Sequence, residues 1–151
     1  MATILVSTQF GEIALTEDGG ALVRATWDGE AEGGETDLLA EAARQLTDYD
    51  LGAREDFDLP MQVRGSEALK AVCGAMREIP YGYTRTYGEI AGDLGLSAQA
   101  VGQLCGANPL AILIPCHRVM GAKGLTGYSG KGGVETKVAL LRHEGAAGLL
   151  I

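Results

Sequence analysis

The sequence predicts a small α/β N-terminal lobe over residues 1–60 and a mostly α C-terminal lobe over residues 61–151 that carries a helix-turn-helix. Three observations predict it. Residues 2–8 and 21–27 are β-branched or apolar stretches separated by Asp18-Gly19-Gly20, which reads as a hairpin or small meander. From Thr36 to about Tyr49, and again after Ser66, apolar side chains recur at helical spacing. Between Tyr87 and Ala107, two short amphipathic segments flank a turn supplied by Gly95 and Ser97.

The elements follow in order. After an acidic, Gly-rich loop at 28–35, Leu38, Leu39, Ala42, Ala43 and Leu46 form the buried stripe of the first helix. Residues 51–60 read as a linker with a short extended piece, and the lobe boundary falls near 60–65. Ser66 caps the next helix, whose stripe is Leu69, Val72, Cys73 and Met76, so Cys73 is assigned to packing; Ile79-Pro80 stops it. In the helix pair, Ile90, Ala91 and Leu94 of the first segment and Val101, Leu104 and Cys105 of the second face inward, with Ser97 as the second N-cap. Such pairs also occur in ordinary cores. The outward residues Ser97, Ala98, Gln99 and Gln103 are small or neutral, whereas bidentate base contacts are made by Arg, Lys or Asn. This helix could approach a groove closely while reading little sequence. After Asn108-Pro109, residues 110–114 read as a short buried strand leading into Pro115-Cys116-His117-Arg118-Val119.

A length of 151 residues allows one domain or two small lobes. With 46% hydrophobic and 21% charged residues, and no apolar run near the roughly 18 residues of a membrane span, no membrane protein is expected. The start MATILVSTQFGEIALTEDGG has no basic leader and carries Glu12, Glu17 and Asp18, which points to a cytoplasmic location. Three cysteines suit neither a disulfide framework nor a four-Cys zinc site, so no metal is expected. The net charge of −8 argues at first against a nucleic-acid partner. It is unevenly distributed: residues 1–60 hold 3 basic and 14 acidic side chains, and residues 61–151 hold 9 basic and 6 acidic. The second lobe can therefore still dock an anion.

Cys116 stands at an element terminus, where a thiol can face a cavity, and His117 can tune it or relay its proton. Neighbouring side chains diverge along an extended chain, so a bridging water is the natural link between them. On chemistry alone, a reactive thiol and a buried structural cysteine weigh equally. A Cys/His hydrolase would further need an oxyanion hole and a base set against the thiol, and nothing in the sequence specifies either.

The string ILIPCHRV at 112–119 resembles the active-site signature of the O6-alkylguanine-DNA alkyltransferase (methylated-DNA protein-cysteine methyltransferase) family. The resemblance continues through IPYG at 79–82, TYGEIA at 86–91, AVG at 100–102, NP at 108–109, GYSG at 127–130 and KVALLRHEG at 137–145, covering roughly residues 56–145. It implies a ribonuclease-H-like N-terminal lobe and irreversible DNA repair without a cofactor. The lesion base is flipped from the duplex, and Cys116 takes the alkyl group from guanine O6 once per molecule. By the same resemblance His117 accepts the thiol proton through a water, Glu144 holds the imidazole, Tyr87 protonates the leaving guanine and Asn108 braces the active-site segment. Main-chain groups near Cys116, Val119 and Ser129 read the guanine edge, Tyr128 walls the pocket and Gly130 is a further substrate-binding position, while Thr86, Ser97, Ala98, Gln99 and Gln103 meet DNA. The implied partner is double-stranded DNA carrying O6-alkylguanine, bound through its minor groove with low sequence specificity by a monomer, with no membrane involved.

Three features depart from the family. Its intercalating arginine is replaced here by Gln99, which can fill part of the vacated stack but lacks a cation. The loop at 127–133 carries a short extra segment with Lys131, suited to a phosphate contact or to solvent. The N-terminal lobe has no Cys, so the structural zinc site of some relatives cannot be built there from thiolates. Beside repair stand two alternatives: a non-repairing alkylguanine sensor, against which Cys116 counts, and a thiol hydrolase acting on a small substrate.

Overall fold

The computed structural model describes residues 1–121 and 133–146, which fall into two units. The first comprises Met1–Arg64 with Pro109–Leu113, and the second Gly65–Asn108 with the described residues from Ile114 onward.

In the first unit, β1 (Ala2–Thr8), β2 (Gly11–Asp18) and β3 (Ala21–Trp27) form an antiparallel meander with β2 central. The sequence marked the two outer strands and the turn at 18–20. The central strand went unassigned because the turn before it, around Gln9-Phe10, has no Asn-Gly or Asp-Gly signature. That turn is instead closed by Thr8, whose hydroxyl donates to Gly11 O at 2.7 Å and accepts from Phe10 N at 3.1 Å. As the middle strand, β2 buries Ile13, Ala14, Leu15 and Thr16 in succession, so it lacks the alternation of a one-sided strand. Helix α1 (Asp37–Asp50), capped by Thr36, packs Leu39, Ala42, Leu46 and Tyr49 toward β1 and β2.

Gln45 lies on the same stripe and is buried. Its amide accepts from Asp58 N at 2.9 Å and donates to Asp58 O at 3.1 Å, so one side chain replaces a strand partner for the linker. Just beyond, Leu22 exchanges backbone hydrogen bonds with Pro60 O and Gln62 N. On Ala25, Pro109 O and Ala111 N make the same pair of bonds. The strand expected over 110–114 is therefore corrected: only a bridge at Leu110 pairs with β3. The chain then turns at Ile112, which adopts φ +67° with Leu113 N bonded to Ala111 O at 2.8 Å. A short apolar run bounded by prolines fixes burial but not hydrogen-bond partners, which is why the run was misread.

In the second unit, Ser66 caps α2 (Glu67–Arg77), which buries Val72, Cys73 and Met76. The two-residue strand β4 (Arg85–Thr86) pairs in parallel with β5 (Val119–Met120). Helix α3 (Tyr87–Leu94) starts directly from β4 with a reciprocal cap: Glu89 N donates to the Thr86 hydroxyl, and Thr86 N donates to the Glu89 carboxylate. It ends at Gly95, whose φ of +70° suits glycine, and Ser97 caps α4 (Ala98–Gly106). These limits agree with the sequence reading to within a residue. α2, α3 and α4 pack on one another, and α5 (Val134–His143) packs on a 3-10 turn at Cys116–Arg118. Among the described residues no helix is long and apolar enough to cross a membrane.

Replacing Gln45 with Leu keeps the volume and leaves the Asp58 peptide groups without their partner. The expected loss is about 1–2 kcal/mol of unfolding free energy, read as a lower urea midpoint. An unchanged midpoint would show that the linker does not depend on Gln45.

Candidate functional site

Local backbone geometry delivers Cys116. Pro115 (φ −82°, ψ 70°) sits at the centre of an inverse γ-turn in which Cys116 N donates to Ile114 O at 2.8 Å. The same carbonyl accepts from Asn108 Nδ2, also at 2.8 Å, so a residue just past α4 fixes the chain two positions before the thiol. Arg118 N then donates to Pro115 O at 3.0 Å and closes the 3-10 turn. Cys116, His117 and Arg118 are all buried, with 8% of the cysteine exposed. Beyond the turn, Val119 pairs with Arg85 in the β4–β5 ladder, and Tyr87 follows β4 at the first position of α3. The short parallel ladder thus holds the phenol-bearing helix start beside the strand that leaves the cysteine turn.

A buried charge network backs this turn. Glu144, the C-cap of α5, receives Arg118 Nε on Oε1 at 2.8 Å and Arg118 Nη2 on Oε2 at 3.0 Å. Its Oε2 also lies 2.8 Å from His117 Nε2. A carboxylate paired this way stays ionised, so the histidine donates through Nε2 and carries its lone pair on Nδ1. Nδ1 is buried with no hydrogen-bond partner among the described residues. Burial alone would raise the pKa of Glu144, but the hydrogen bonds from His117 and Arg118 outweigh it and hold the carboxyl at about 2. Burial pushes His117 down; Glu144 pushes it back up, the charges of Arg118 and Lys137 oppose that, and the net direction is downward.

Lys137 is fully buried on α5. Its Nζ donates to Val119 O at 2.5 Å and lies 5.7 Å from the centre of the Tyr87 ring. Burial lowers its pKa from the usual lysine value, while the thiols of Cys116 and Cys105 act in the opposite sense. By reciprocity its ammonium favours a thiolate at either position. Burial pushes the Cys73 thiol to about 11 and the Cys105 thiol to about 12, so both remain protonated near neutral pH. Among the described residues no group of three or more His, Cys, Asp or Glu is placed to hold a metal ion.

Of the residues singled out from sequence, Cys116, His117, Glu144, Asn108, Tyr87 and Val119 lie on the cysteine turn or on the elements that hold it. Ser97, Ala98, Gln99 and Gln103 are exposed on or beside α4, and Thr86 is half-buried as the cap of α3. Tyr128, Ser129, Gly130 and Lys131 lie outside the described residues. Arg118, Lys137 and Tyr81 were missed. Lys137 carried a readable signal: with Leu140, Leu141 and Glu144 it follows i, i+3, i+4, i+7 spacing, which puts two charges on the buried stripe of a helix.

Comparisons with known proteins identify the family. Residues 67–146 match the family model for the 6-O-methylguanine DNA methyltransferase DNA-binding domain. A methylated-DNA–protein-cysteine methyltransferase of Methanosarcina acetivorans is 47% identical over 113 residues, covering 73% of this chain and 71% of that protein. The protein of the same name from Mycolicibacterium paratuberculosis is 49% identical over 109 residues, covering 70% and 65% respectively. The crystal structure of Mycobacterium tuberculosis OGT in complex with DNA superposes with a TM-score of 0.84 at 36% identity, covering 96% of this chain and 94% of that one. The match to the family model and the relatives' identity place this chain in the methylated-DNA–protein-cysteine methyltransferase family.

Proposed function

We propose that this protein repairs DNA by moving an alkyl group from O6 of guanine to Cys116. The observation that carries the reading is a histidine bound through Nε2 to an ionised Glu144, with Nδ1 left as acceptor, directly after a cysteine at the start of a tight turn. A thiol with an ordinary pKa of about 8.5 is mostly protonated at neutral pH and needs a base. Its proton passes through a water to His117 Nδ1. The thiolate then attacks the alkyl carbon in line, forming the S–C bond as the C–O6 bond breaks. The leaving guanine takes its proton from the Tyr87 hydroxyl. A thioether has no good leaving group, so each molecule reacts once.

The carbonyl of Val119, fixed by Lys137, suits the guanine edge; Tyr128, Ser129 and Gly130, which the resemblance assigns to the substrate, lie outside the described residues. α3 and α4 act as a helix-turn-helix that enters the minor groove of lesion-bearing duplex with Ser97, Ala98, Gln99 and Gln103, and Thr86 meets the backbone. The meander with α1 is the ribonuclease-H-like lobe, residues 1–60, and residues 61–151 are the alkyltransferase domain. The protein works as a monomer in the cytoplasm, without a cofactor.

Incubation with an oligonucleotide containing O6-methylguanine should add one methyl to the intact mass, and Cys116→Ser should abolish the gain. Tight binding without a mass change would favour a sensor; turnover of a small ester without DNA affinity would favour a hydrolase. Glu144→Gln should slow transfer at pH 7 by about 10²-fold, since the base loses its orienting anion. Gln99→Ala should slow transfer from duplex DNA more than transfer from free O6-benzylguanine. Equal effects on the two substrates would remove Gln99 from base flipping.

A further inference from the structure

Arg118 is the most tightly held side chain of the cysteine turn, and the reaction just described gives it no part. Its guanidinium donates to both oxygens of Glu144, donates through Nη1 to Ile79 O at 2.6 Å, and lies 5.7 Å from the centre of the Tyr81 ring. Tyr81 is itself fixed, its hydroxyl donating to His143 O at 3.2 Å near the end of α5. A planar fork held on three sides cannot follow a moving partner, so it sets where the carboxylate sits.

We propose that Arg118 is a positioning residue that helps to keep His117 neutral and protonated on Nε2 by forking onto both oxygens of the Glu144 carboxylate that His117 shares. In its consequence for catalysis this rests on the alkyl-transfer reading above. A buried histidine facing a lone carboxylate forms an imidazolium–carboxylate pair and is then spent as a base. Here the carboxylate charge is already offset by a bidentate guanidinium, so a proton on Nδ1 would create a second cation sharing Oε2 with the first. Among the described residues, the charged groups that act on the imidazole are Glu144 at the C-cap of α5, Lys137 of α5 and Arg118 of its own turn; Cys116 of that turn and Cys73 of α2, which packs on it, are the titratable thiols nearby in the fold. Of these, only Glu144 favours the imidazolium at neutral pH with the thiols protonated. Burial opposes it most, and the charges of Arg118 and Lys137 add to that. Arg118 bonds to the carboxylate itself.

The test is a pH titration of the histidine ring nitrogens by 15N NMR in the full chain, with His143 assigned from a His143→Gln spectrum. In the wild type His117 should be neutral with its proton on Nε2 at pH 7 and should titrate below the ordinary value of about 6.5. Arg118→Met should raise that midpoint by about one unit or more. The acidic limb of the rate of transfer from O6-benzylguanine should move up with it, because the base must be neutral. Arg118→Lys, which keeps the charge without the fork, should leave the midpoint near the wild-type value while slowing transfer. An unmoved midpoint in a folded Arg118→Met protein would overturn the proposal. If that variant does not fold, the wild type still decides: a His117 already imidazolium at pH 7 overturns it. Should the wild type accept no alkyl group, the functional reading fails while the titration still reports on Arg118.

Discussion

The active-site half of this protein depends on one carboxylate. Glu144 closes α5, and through its two oxygens it ties the end of that helix to both residues that follow the cysteine. Removing such a group from water is costly, and its attraction to one cation rarely more than offsets the cost. The arrangement holds because all partners are present at once: the fork of Arg118 satisfies both oxygens, His117 shares one of them, and the remaining donor of the fork reaches Ile79 O. Loss of Glu144 would leave both Arg118 Nε and His117 Nε2 buried without their shared acceptor. The arrangement also explains how a three-residue turn, with few backbone bonds of its own, can present a thiol in a fixed direction.

The backbone reaches that turn by two tight reversals. Ile112 adopts a positive φ that β-branched residues avoid, and Pro115 supplies the ordinary inverse turn just before the thiol. Strain of the first kind costs on the order of 1–3 kcal/mol and persists only where the surroundings over-determine it. Here Ile112 is buried, and its neighbour Ala111 is bonded to Ala25 O. Asn108 then holds Ile114 O from the end of α4. An amide at 108 therefore registers the helix pair against the cysteine turn within the same unit, a role that neither a turn former nor an apolar residue could fill.

Helix limits were legible because their causes are local. Thr36, Ser66 and Ser97 are caps that bond within three residues, and Gly95 takes the left-handed conformation that stops α3. Failures came where a partner is distant in sequence or a turn lacks its usual signature. Residues 110–114 read as a strand because a short apolar run does not reveal its hydrogen-bond partners, and β2 was missed because its turn is closed by a threonine hydroxyl rather than by glycine. In the site, Cys116 and His117 stood out by their chemistry and Glu144 was named through a family resemblance, whereas Arg118 received no role although it stands in the same motif. A basic residue beside a histidine looks like a solvated charge until the carboxylate 26 positions away is seen against it. Lys137 was readable from its place on an apolar stripe, a signal that periodicity supplies without any relative.

The balance of buried charge bears on why Cys116, and not its neighbours, is suited to ionise. Arg118 is offset by Glu144 and His117 is neutral, so the remaining buried cation of this cluster is Lys137. Its ammonium points at Val119 O and at the face of Tyr87, and it favours the anionic form of a nearby thiol or phenol. Cys73 and Cys105 are pushed to about 11 and about 12 by burial, and neither stands next to a base. Cys116 differs from both in its neighbour: it directly precedes an imidazole whose Nδ1 has no hydrogen-bond partner among the described residues. The electrostatic preference for an anion is thus built from a lysine inside the fold, while the outward face of α4 carries neutral side chains.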